Sequence, residues 1–589
     1  MPSNKKQKEP KDAAVESVEQ SSKPSQDMAS KTNDSKTNKP DDVKKPNPPK
    51  PPYIVHRSRD GLKLIKSFHL EDNSVCSKEI VLVKSEDKDD RVENVCCSED
   101  GEFVAWCDKN SIKCLRFDSQ EIVFDQPNDT RSNCLAISPR STKLITFNTM
   151  AAGDNLHFWD LTTQKRLTSM PFKKASQWKP IFSMNEEICL QHINSELVIY
   201  TSGNFEKPKH RLTQLKVNAF SLSSASFEPT QTCQHIYNKR VKHKNHYIAI
   251  YSVGVKGGPS IVKIYKYPNM VDCVTNKSFF KADSVKFSWS PSGSSMLLIC
   301  QADFDKCGKS YYGEQSLNYL NVKGDSYFVK LPKEGAISHI EWYPSCDQEM
   351  FICVYGLMPA KVSLFNNKCE VMFNFGDQGG LFNETKFNPF GNLLAVYGFG
   401  NLAGQMCIWD FEKKKLISSM KVPETTGIEW CADGKHLLTS TTAPRLRVGN
   451  GFRLWHYTGS LIYENVGHSD PNQNLELYDV IWQPRPNLYK RPKIDSKATS
   501  HPNLISQSKL SKFQGSAGKY VPPSERNAAS MTKPSYMNSA IGLTAGNRPI
   551  VGLESLTLNN TTKAGSRKAK KNKGNPDKTD KGQQQASAT

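Results

Sequence analysis

A short pattern of strand, turn and strand recurs through the middle of the chain at intervals of about 45 residues. Most copies have an apolar run, a turn that contains Pro or Asp-Gly, and a second apolar run, as in TKFNPFGNLLAVYG at 385–398. A unit of this length cannot bury its apolar faces alone, so it must stack on similar units. The turns are marked by Asp100, Pro139, Asn185, Pro229, Pro291, Pro344, Pro389, Asp433 and Pro484.

The strands that close several units end in Trp-Asp or a related pair. Examples are LHFWDL at 156–161, MCIWDF at 406–411 and the drifted FRLWHY at 452–457. A Trp-Asp pair at the end of a repeat of this length is typical of propeller blades. We therefore predict an all-β, WD-repeat-type β-propeller with nine blades. Two stacked β-sandwiches also have short strands with regular turns, but the blade-length period of the Trp-Asp endings disfavours them.

The ninth unit is incomplete in sequence order. The run VIWQPRP at 480–486 has no strand after it, whereas YIVHRSRDGLKLIKSF from residue 53 and EIVLVKSE from residue 79 precede the first unit without partners. Pairing of these N-terminal strands with the last strand would close the ring and remove an exposed strand edge. We therefore expect the first strands of the chain to complete the last blade.

The two ends of the chain have a different composition from the repeats. Residues 1–52 consist mainly of Lys, Asp, Ser and Pro, and residues 487–589 are rich in Ser, Asn, Lys and Gly. Such segments bury too little apolar surface to offset their ordering entropy. We predict a disordered N-terminal extension over 1–52, the β-propeller over 53–486, and a basic disordered tail over 487–589.

The positive charge is concentrated in that tail. Of the formal charge of +20, residues 485–589 carry +14, since they hold 19 Lys and Arg against 5 Asp and Glu. All 16 Cys lie between Cys76 and Cys431 without a CxxC pair, which is typical of reduced thiols and predicts no disulfide framework. No signal peptide and no apolar run of membrane-spanning length is recognisable. These features predict a cytoplasmic protein without a membrane segment.

Catalytic motifs are missing from the sequence. The string CGKS at 307–310 resembles a phosphate-binding loop, but Asp303 occupies the position that requires Gly. The segment GFGNLAG at 398–404 lacks dinucleotide-binding spacing, and its glycines more simply allow a close approach of strands. There is no GxSxG or HExxH motif, and the 13 His show no ligand spacing. We expect no enzyme activity, no cofactor and no metal.

Two basic segments are candidate RNA contacts. The tail segment SRKAKKNKGNPDKTDK at 566–581 contains Arg567, Lys568, Lys570, Lys571 and Lys573. Lysines on a flexible chain bind phosphates without sequence preference. A nuclear import signal and a solvated charged tail are the alternative interpretations.

The second segment is APRLRVGNGFRLWHYTG at 443–459. Its Asn450-Gly451 pair predicts a tight hairpin turn, and strand periodicity then places Arg445 and Arg447 on one face. These arginines are candidates to contact an RNA backbone. The alternative is that they form ion pairs with nearby carboxylates, as paired arginines on a strand commonly do.

Several blocks are more specific than generic blade sequences. They are NKSFFKADSV at 276–285, YYGEQSLNYL at 311–320, YGLMPAKVSLFNNKC at 355–369, YGFGNLAGQMCIWD at 397–410 and APRLRVGNGFRLWHYTGS at 443–460. Together with the closing WQP at 482–484 and YVPPSER at 520–526, they resemble the eukaryotic translation initiation factor 2A family. The resemblance covers the whole region of repeats. Its departures are the N-terminal extension and a short Gly/Asn/Lys-rich tail in place of a long helical C-terminus.

The resemblance implies a nine-bladed propeller that acts in translation initiation. It implies binding to the small ribosomal subunit and delivery of initiator methionyl-tRNA, dependent on the start codon and independent of GTP, on selected mRNAs. The implied partners are the small ribosomal subunit, the initiator tRNA, mRNA and other initiation factors, with the protein a monomer off the membrane. The b subunit of translation initiation factor 3 has a related propeller, but an RNA-recognition domain precedes it, and residues 1–52 are too short and polar for one. A WD-repeat protein scaffold without an RNA role is the alternative from another class.

Overall fold

The computed structural model describes residues 51–66, 78–85, 91–173, 175–201, 203–213, 216–223, 245–255, 257–280, 282–303, 313–375, 380–447, 449–466, 476–486 and 488–495. Within these ranges, 36 strands form nine antiparallel sheets of four strands each. Nine apolar clusters lie between neighbouring sheets, and the last cluster joins the ninth sheet to the first. The predicted all-β propeller of nine blades is confirmed.

The strands follow the chain in order, and each blade runs from an inner first strand to an outer fourth strand. The chain begins with three strands of blade 9: β1 (Tyr53–Ser58), β2 (Gly61–Lys66) and β3 (Lys78–Lys84). Blades 1, 2 and 3 consist of β4 (Asn94–Cys97), β5 (Phe103–Cys107), β6 (Ser111–Arg116), β7 (Ile122–Pro127), β8 (Cys134–Ile137), β9 (Lys143–Phe147), β10 (Asp154–Asp160), β11 (Arg166–Pro171), β12 (Ile181–Phe182), β13 (Ile188–Ile193), β14 (Glu196–Thr201) and β15 (His210–Leu212).

A single turn of 3-10 helix, Ala175–Gln177, precedes β12 in the described chain. Blades 4, 5 and 6 consist of β16 (Ala219–Leu222), β17 (His246–Ser252), β18 (Ser260–Tyr267), β19 (Asn269–Phe279), β20 (Ser284–Trp289), β21 (Ser295–Ala302), β22 (Glu314–Asn321), β23 (Ser326–Phe328), β24 (Ile337–Trp342), β25 (Met350–Tyr355), β26 (Lys361–Asn366) and β27 (Val371–Phe375). Blades 7 and 8 consist of β28 (Glu384–Phe387), β29 (Leu393–Gly398), β30 (Gln405–Asp410), β31 (Lys415–Lys421), β32 (Gly427–Trp430), β33 (His436–Thr441), β34 (Gly451–His456) and β35 (Leu461–Val466), and β36 (Leu477–Trp482) is the inner strand of blade 9.

The second and third strands of a blade are buried on both faces because each sheet packs between two others. In blade 7 every residue of β29 is buried, which explains why its sequence LLAVYG is continuously apolar. The outer strand β31 meets solvent, and its sequence KLISSMK accordingly mixes lysines with apolar residues. In the described residues, no helix is long and apolar enough to span a bilayer.

The last blade is completed by the first strands of the chain. Its strand order is β3-β2-β1-β36, and β1 pairs antiparallel to β36 with Ile54 opposite Trp482. The buried Gln483 then accepts a hydrogen bond from Tyr53 N at 3.1 Å and donates one from Nε2 to Gly101 O at 2.6 Å. One side chain therefore joins both ends of the propeller to blade 1.

Arg57 on β1 is a second side chain that joins blade 9 to blade 1 where the ring closes. Its Nε lies 2.6 Å from Asp479 Oδ2 on β36, and its Nη1 donates to Val92 O at 2.9 Å and to Glu93 O at 2.8 Å. The last two carbonyls belong to the link that enters blade 1. The mostly buried guanidinium thus holds three separate segments together.

We expect Arg57→Ala to lower the free energy of unfolding by about 2–3 kcal/mol, because it leaves Asp479 and two carbonyls without their donor. The matched control is Arg91→Ala, since Arg91 pairs with Glu93 at 3.1 Å on the surface and such pairs contribute below about 1 kcal/mol. Chemical denaturation of both variants measures the difference. Equal losses in the two variants would contradict this role of Arg57.

The chain after β36 differs from the sequence-based prediction. Residues 488–495, which we predicted to be part of a disordered tail, lie against blades 7 and 8. Asn392 Nδ2 donates to Pro492 O at 3.0 Å, Asp495 N donates to Tyr457 OH at 3.3 Å, and Ile494 packs on the apolar cluster between the two blades. We call residues 488–495 the strap. Its few apolar residues are interrupted by Lys and Arg, so its composition did not indicate that it packs on the propeller. Residues 1–50 and 496–589 lie outside the described residues.

Candidate nucleic-acid interface

The propeller has two faces that differ in the segments they present. Because strands alternate in direction within each blade, the loops between second and third strands open on the same side as the links between blades. We call this side the loop face. The turns between first and second strands and between third and fourth strands form the opposite turn face. The strap crosses the turn face, since Asn392 and Tyr457 lie in two of those turns.

Each of the five blocks that carry the family resemblance contributes a segment to the loop face. They contribute the link after β19, the residues before β22, and the loops 356–360, 399–404 and 442–450. These segments belong to consecutive blades, from the end of blade 4 to blade 8. Topology therefore brings one segment from each of these five blocks to one arc of the loop face, whereas residues 367–369 and 457–460 of two blocks lie in turns of the opposite face.

Arg445 and Arg447 lie on this arc, but in a loop and not on a strand. The prediction that they share a strand face is wrong, because β33 ends at Thr441 and β34 begins at Gly451. The connection between the two strands therefore runs from residue 442 to residue 450, of which 442–447 and 449–450 are described, and is not a tight turn at Asn450-Gly451. Pro444 lacks the N–H that a ladder would use, which explains why strand pairing stops here.

Hydrogen bonds fix the shape of this wide loop. Ala443 N donates to Leu477 O at 2.7 Å and Leu446 N donates to Thr442 O at 3.1 Å. The buried Asn450 donates from Nδ2 to Leu446 O at 2.8 Å and accepts from Leu477 N at 3.1 Å. The loop is thereby attached to the start of β36. Both arginines are presented from an ordered backbone.

The two guanidinium groups have different surroundings. Arg445 packs against the neighbouring blade, where a Cβ built at Gly400 would lie only 2.2 Å from its Nη2. Gly400 has a φ of +75°, so this position favours glycine for conformation as well as for space. Arg447 is 71% exposed in its side chain, and its Nε is 4.0 Å from Glu476 Oε1. Arg447 therefore pairs with a carboxylate, as the alternative interpretation expects, but the pair is long and exposed and contributes little. Among the described residues, no ion pair involves Arg445.

The glycines of GFGNLAG serve close packing, as predicted. A Cβ at Gly398 would lie 1.9 Å from Leu381 O, and one at Gly404 would lie 2.2 Å from Val422 O. Gly404 N also donates to Gly398 O at 3.0 Å, which closes the loop of blade 7 on itself. This compact loop leaves room beside it for the Arg445 side chain.

The basic residues of the tail, Arg567, Lys568, Lys570, Lys571 and Lys573, lie outside the described residues. The string CGKS at 307–310 also lies outside them. Within the described ranges, no group of three or more His, Cys, Asp or Glu could hold a metal ion. None of the thirteen described cysteines forms a disulfide, and burial raises the pKa of thiols such as Cys300 and Cys369 to about 11.

Charged side chains near the ring axis were missed by the sequence analysis. Glu341 Oε1 accepts from Phe387 N at 2.8 Å, Lys386 Nζ donates to Ile428 O at 2.9 Å, and Glu429 Oε2 accepts from Trp482 N at 3.0 Å. Each group therefore satisfies a backbone atom on the inner strand of the next blade. Burial raises the pKa of both Glu341 and Glu429. These residues join blades 6 to 9 and form no free site.

Comparisons with known proteins agree with the resemblance. The family model described as eukaryotic translation initiation factor eIF2A matches residues 277–480. Eukaryotic translation initiation factor 2A of Drosophila melanogaster is 33% identical over 457 residues, covering 75% of this chain and 67% of the relative. The protein of that name from Caenorhabditis elegans is 32% identical over 530 residues, covering 84% of this chain and 86% of the relative.

The rival family and a solved structure complete the comparison. The b subunit of eukaryotic translation initiation factor 3 from Xenopus laevis is only 20% identical, covering 65% of this chain and 50% of the relative. A structure described as the crystal structure of the eukaryotic initiation factor matches with a TM-score of 0.62 at 26% identity, covering 74% of this chain and 99% of that chain. The extent and identity of these matches, together with the nine-bladed fold, show that the chain belongs to the eukaryotic translation initiation factor 2A family.

Proposed function

We propose that this translation initiation factor binds the small ribosomal subunit and directs initiator methionyl-tRNA to it on selected mRNAs. Delivery would depend on the start codon and not on GTP. Family membership supports the role in initiation, and the observation that carries the binding proposal is the anchored loop 442–450 on the loop face. The protein would act by binding alone, as a cytoplasmic monomer alongside other initiation factors.

The arginine loop suits a phosphate backbone for three reasons. A guanidinium presents planar pairs of donors that match phosphate oxygens. Arg445 and Arg447 are both exposed and are separated by a single residue, so they can reach neighbouring phosphates. Because hydrogen bonds already hold the described part of the loop at Thr442, Ala443, Leu446 and Asn450, binding there orders mainly side chains and loses little conformational entropy.

The basic tail has a different proposed role. Because the chain carries +14 from residue 485 onward, the tail would attract any RNA through counterion release. If about four to six phosphates are neutralised, log affinity for single strands falls against log salt with a slope of roughly −3 to −4. The propeller would then decide where on the small ribosomal subunit the factor sits.

The test compares binding to purified small ribosomal subunits at near-physiological salt without added nucleotide. The proteins are the full chain, a 51–495 fragment that retains the strap, and the double variant Arg445→Ala/Arg447→Ala. A further variant replaces Arg567, Lys568, Lys570, Lys571 and Lys573 with Ala. The matched control is Lys109→Ala/Arg131→Ala, which removes two exposed cations from the loop face of blade 1 and the following link.

We expect the arginine variant to weaken binding to the small ribosomal subunit about thirtyfold while leaving binding to a generic single-stranded RNA nearly unchanged, since two lost phosphate contacts at about 1 kcal/mol each total about 2 kcal/mol. The tail variant should weaken all RNAs alike and flatten the salt slope. The fragment should still bind, more weakly. Equal binding by the arginine variant and its control would refute the loop as the site, and loss of all binding by the fragment would place the site in the tail. If the full chain does not bind small ribosomal subunits, the alternative function, a WD-repeat protein scaffold without an RNA role, is favoured.

A further inference from the structure

Exposed apolar side chains are concentrated in one third of the ring. Fifteen large hydrophobic residues are exposed in the part of the chain that the structure describes, and ten of them lie in blades 4, 5 and 6. Single exposed apolar residues are ordinary on protein surfaces, but clustered ones mark interaction sites. The remaining five are scattered over other blades and the strap. The apolar arc does not include the arginine loop of blade 8.

Within this arc, three exposed apolar residues belong to two segments that contact each other. Phe328 (61% exposed) ends the outer strand of blade 5, whereas Leu357 (67%) and Met358 (45%) occupy the loop 356–360 of blade 6. The segments are in direct contact, because Leu357 N donates to Glu334 O at 3.0 Å in the link that follows Phe328. We call these three residues with Lys330, Lys333 and Lys361 the Leu357 patch.

The backbone beneath this patch is held firmly. Gly356 N donates to Ala336 O at 3.0 Å, and Lys333 Nζ donates to Pro359 O at 2.6 Å. A Cβ at Gly335 would lie 2.4 Å from Leu357 N, so the link and the loop pack as closely as their backbones allow. Leu357 and Met358 are thus displayed to solvent by a loop that is fixed on both sides. Rigid scaffolds that present exposed side chains are typical of binding loops.

The charges around the patch indicate what would cover it. Segments 326–336 and 355–361 contain Lys330, Lys333 and Lys361 against the single acid Glu334. A partner that buries Leu357 and Met358 must supply large apolar groups, and it gains from carboxylates that face the lysines. A nucleic acid would match the lysines and its bases would stack on Phe328, but stacking requires planar side chains, and Leu357 and Met358 offer none.

We propose that the Leu357 patch is a docking site for a short acidic segment of a partner protein that carries large apolar side chains. The apolar side chains cover Phe328, Leu357 and Met358, and the carboxylates meet Lys330 and Lys361. The site is separate from the arginine loop, so one molecule can hold the RNA partner and the protein segment together. This assignment does not depend on the proposed ribosomal function.

The test uses the full chain and a phage-displayed library of random dodecapeptides. Selection on the wild-type protein is combined with counter-selection on Leu357→Ser/Met358→Ser, which alters only exposed side chains. Peptides that enrich should combine Asp or Glu with large apolar residues. The best peptide is then synthesised and its affinity measured by fluorescence polarisation against each variant.

We expect Leu357→Ser/Met358→Ser to weaken the peptide tenfold or more, and Lys330→Glu/Lys361→Glu to weaken it about fivefold. The matched control is Met150→Ser, because Met150 is 89% exposed in the corresponding loop of blade 2, and its effect should be below twofold. The proposal is overturned if no enriched peptide depends on Leu357 and Met358, or if the enriched peptides are basic. It is also overturned if the serine double variant instead weakens binding of a uridine-rich 20-mer RNA, or if sedimentation shows that the patch mediates self-association.

Discussion

A chain that starts at residue 90 should be aggregated or rapidly digested by protease, whereas a chain that starts at residue 50 should behave like the full-length protein. The shorter chain lacks β1, β2 and β3, so β36 loses its only neighbouring strand in the described structure. Side chains buried by these strands include Ile54, Val55, Leu62, Leu64 and Ile65.

The size of this loss explains the expected result. Five fully buried aliphatic side chains contribute on the order of 10 kcal/mol of hydrophobic free energy. That amount is comparable with the whole stability of a typical domain, about 5–15 kcal/mol. The cut also exposes the apolar clusters on both sides of blade 9 and leaves an open strand edge, which promotes aggregation.

Limited proteolysis and size-exclusion chromatography measure the outcome. The chain that starts at residue 50 controls for loss of the N-terminal extension. Adding residues 51–85 as a separate peptide should partly restore protease resistance to the shorter chain, since the docking surfaces remain. Equal protease resistance of the two chains without that peptide would contradict closure by the N-terminal strands.

A chain that ends at residue 486 should lose about 3 kcal/mol of unfolding free energy, whereas one that ends at residue 495 should lose less than about 1 kcal/mol. The difference is the strap. Its removal leaves the buried Asn392 amide without the Pro492 carbonyl and uncovers the apolar cluster at Ile494. The lost hydrogen bond contributes about 1 kcal/mol, and the lost apolar contacts of the buried Pro492 and the partly buried Ile494 contribute the rest.

Chemical denaturation of the two truncated chains measures this difference. A useful control in the full chain is Arg491→Ala, because the ion pair of Arg491 with Glu412 is half-exposed on both sides and contributes below about 1 kcal/mol. If both truncated chains have the same midpoint and slope, the strap does not stabilise the propeller.

The repeat pattern was sufficient to predict the architecture. Each blade is defined by short-range features, namely two apolar runs around a turn such as Pro389 or Asp433 and a closing strand such as MCIWDF. Strand formation depends on residues close in sequence, so their spacing reveals it. The unpaired strand at 480–486 and the unpaired strands from residue 53 also predicted how the ring would close.

Features that depend on contacts between distant loops needed the tertiary structure. Arg445 was predicted on a strand, but Pro444 and the hydrogen bonds of Asn450 to Leu446 and Leu477 open a loop there. The Arg445 side chain also packs against Gly400 of the neighbouring blade, and this contact between two blades is visible only in the folded protein.

The position of the strap and the hydrogen bonds of Glu341, Lys386 and Glu429 to neighbouring blades also depend on contacts between distant parts of the chain. In the strap, Pro492 and Ile494 alternate with Arg491, Lys493 and Asp495, so the composition resembles that of a disordered tail. Nevertheless Pro492 O accepts a hydrogen bond from Asn392, and Ile494 packs on the apolar cluster between blades 7 and 8. Local and periodic patterns of apolar residues and turns therefore specify the blades. The candidate binding surfaces depend on the folded ring, because only the ring brings loops from different blades together.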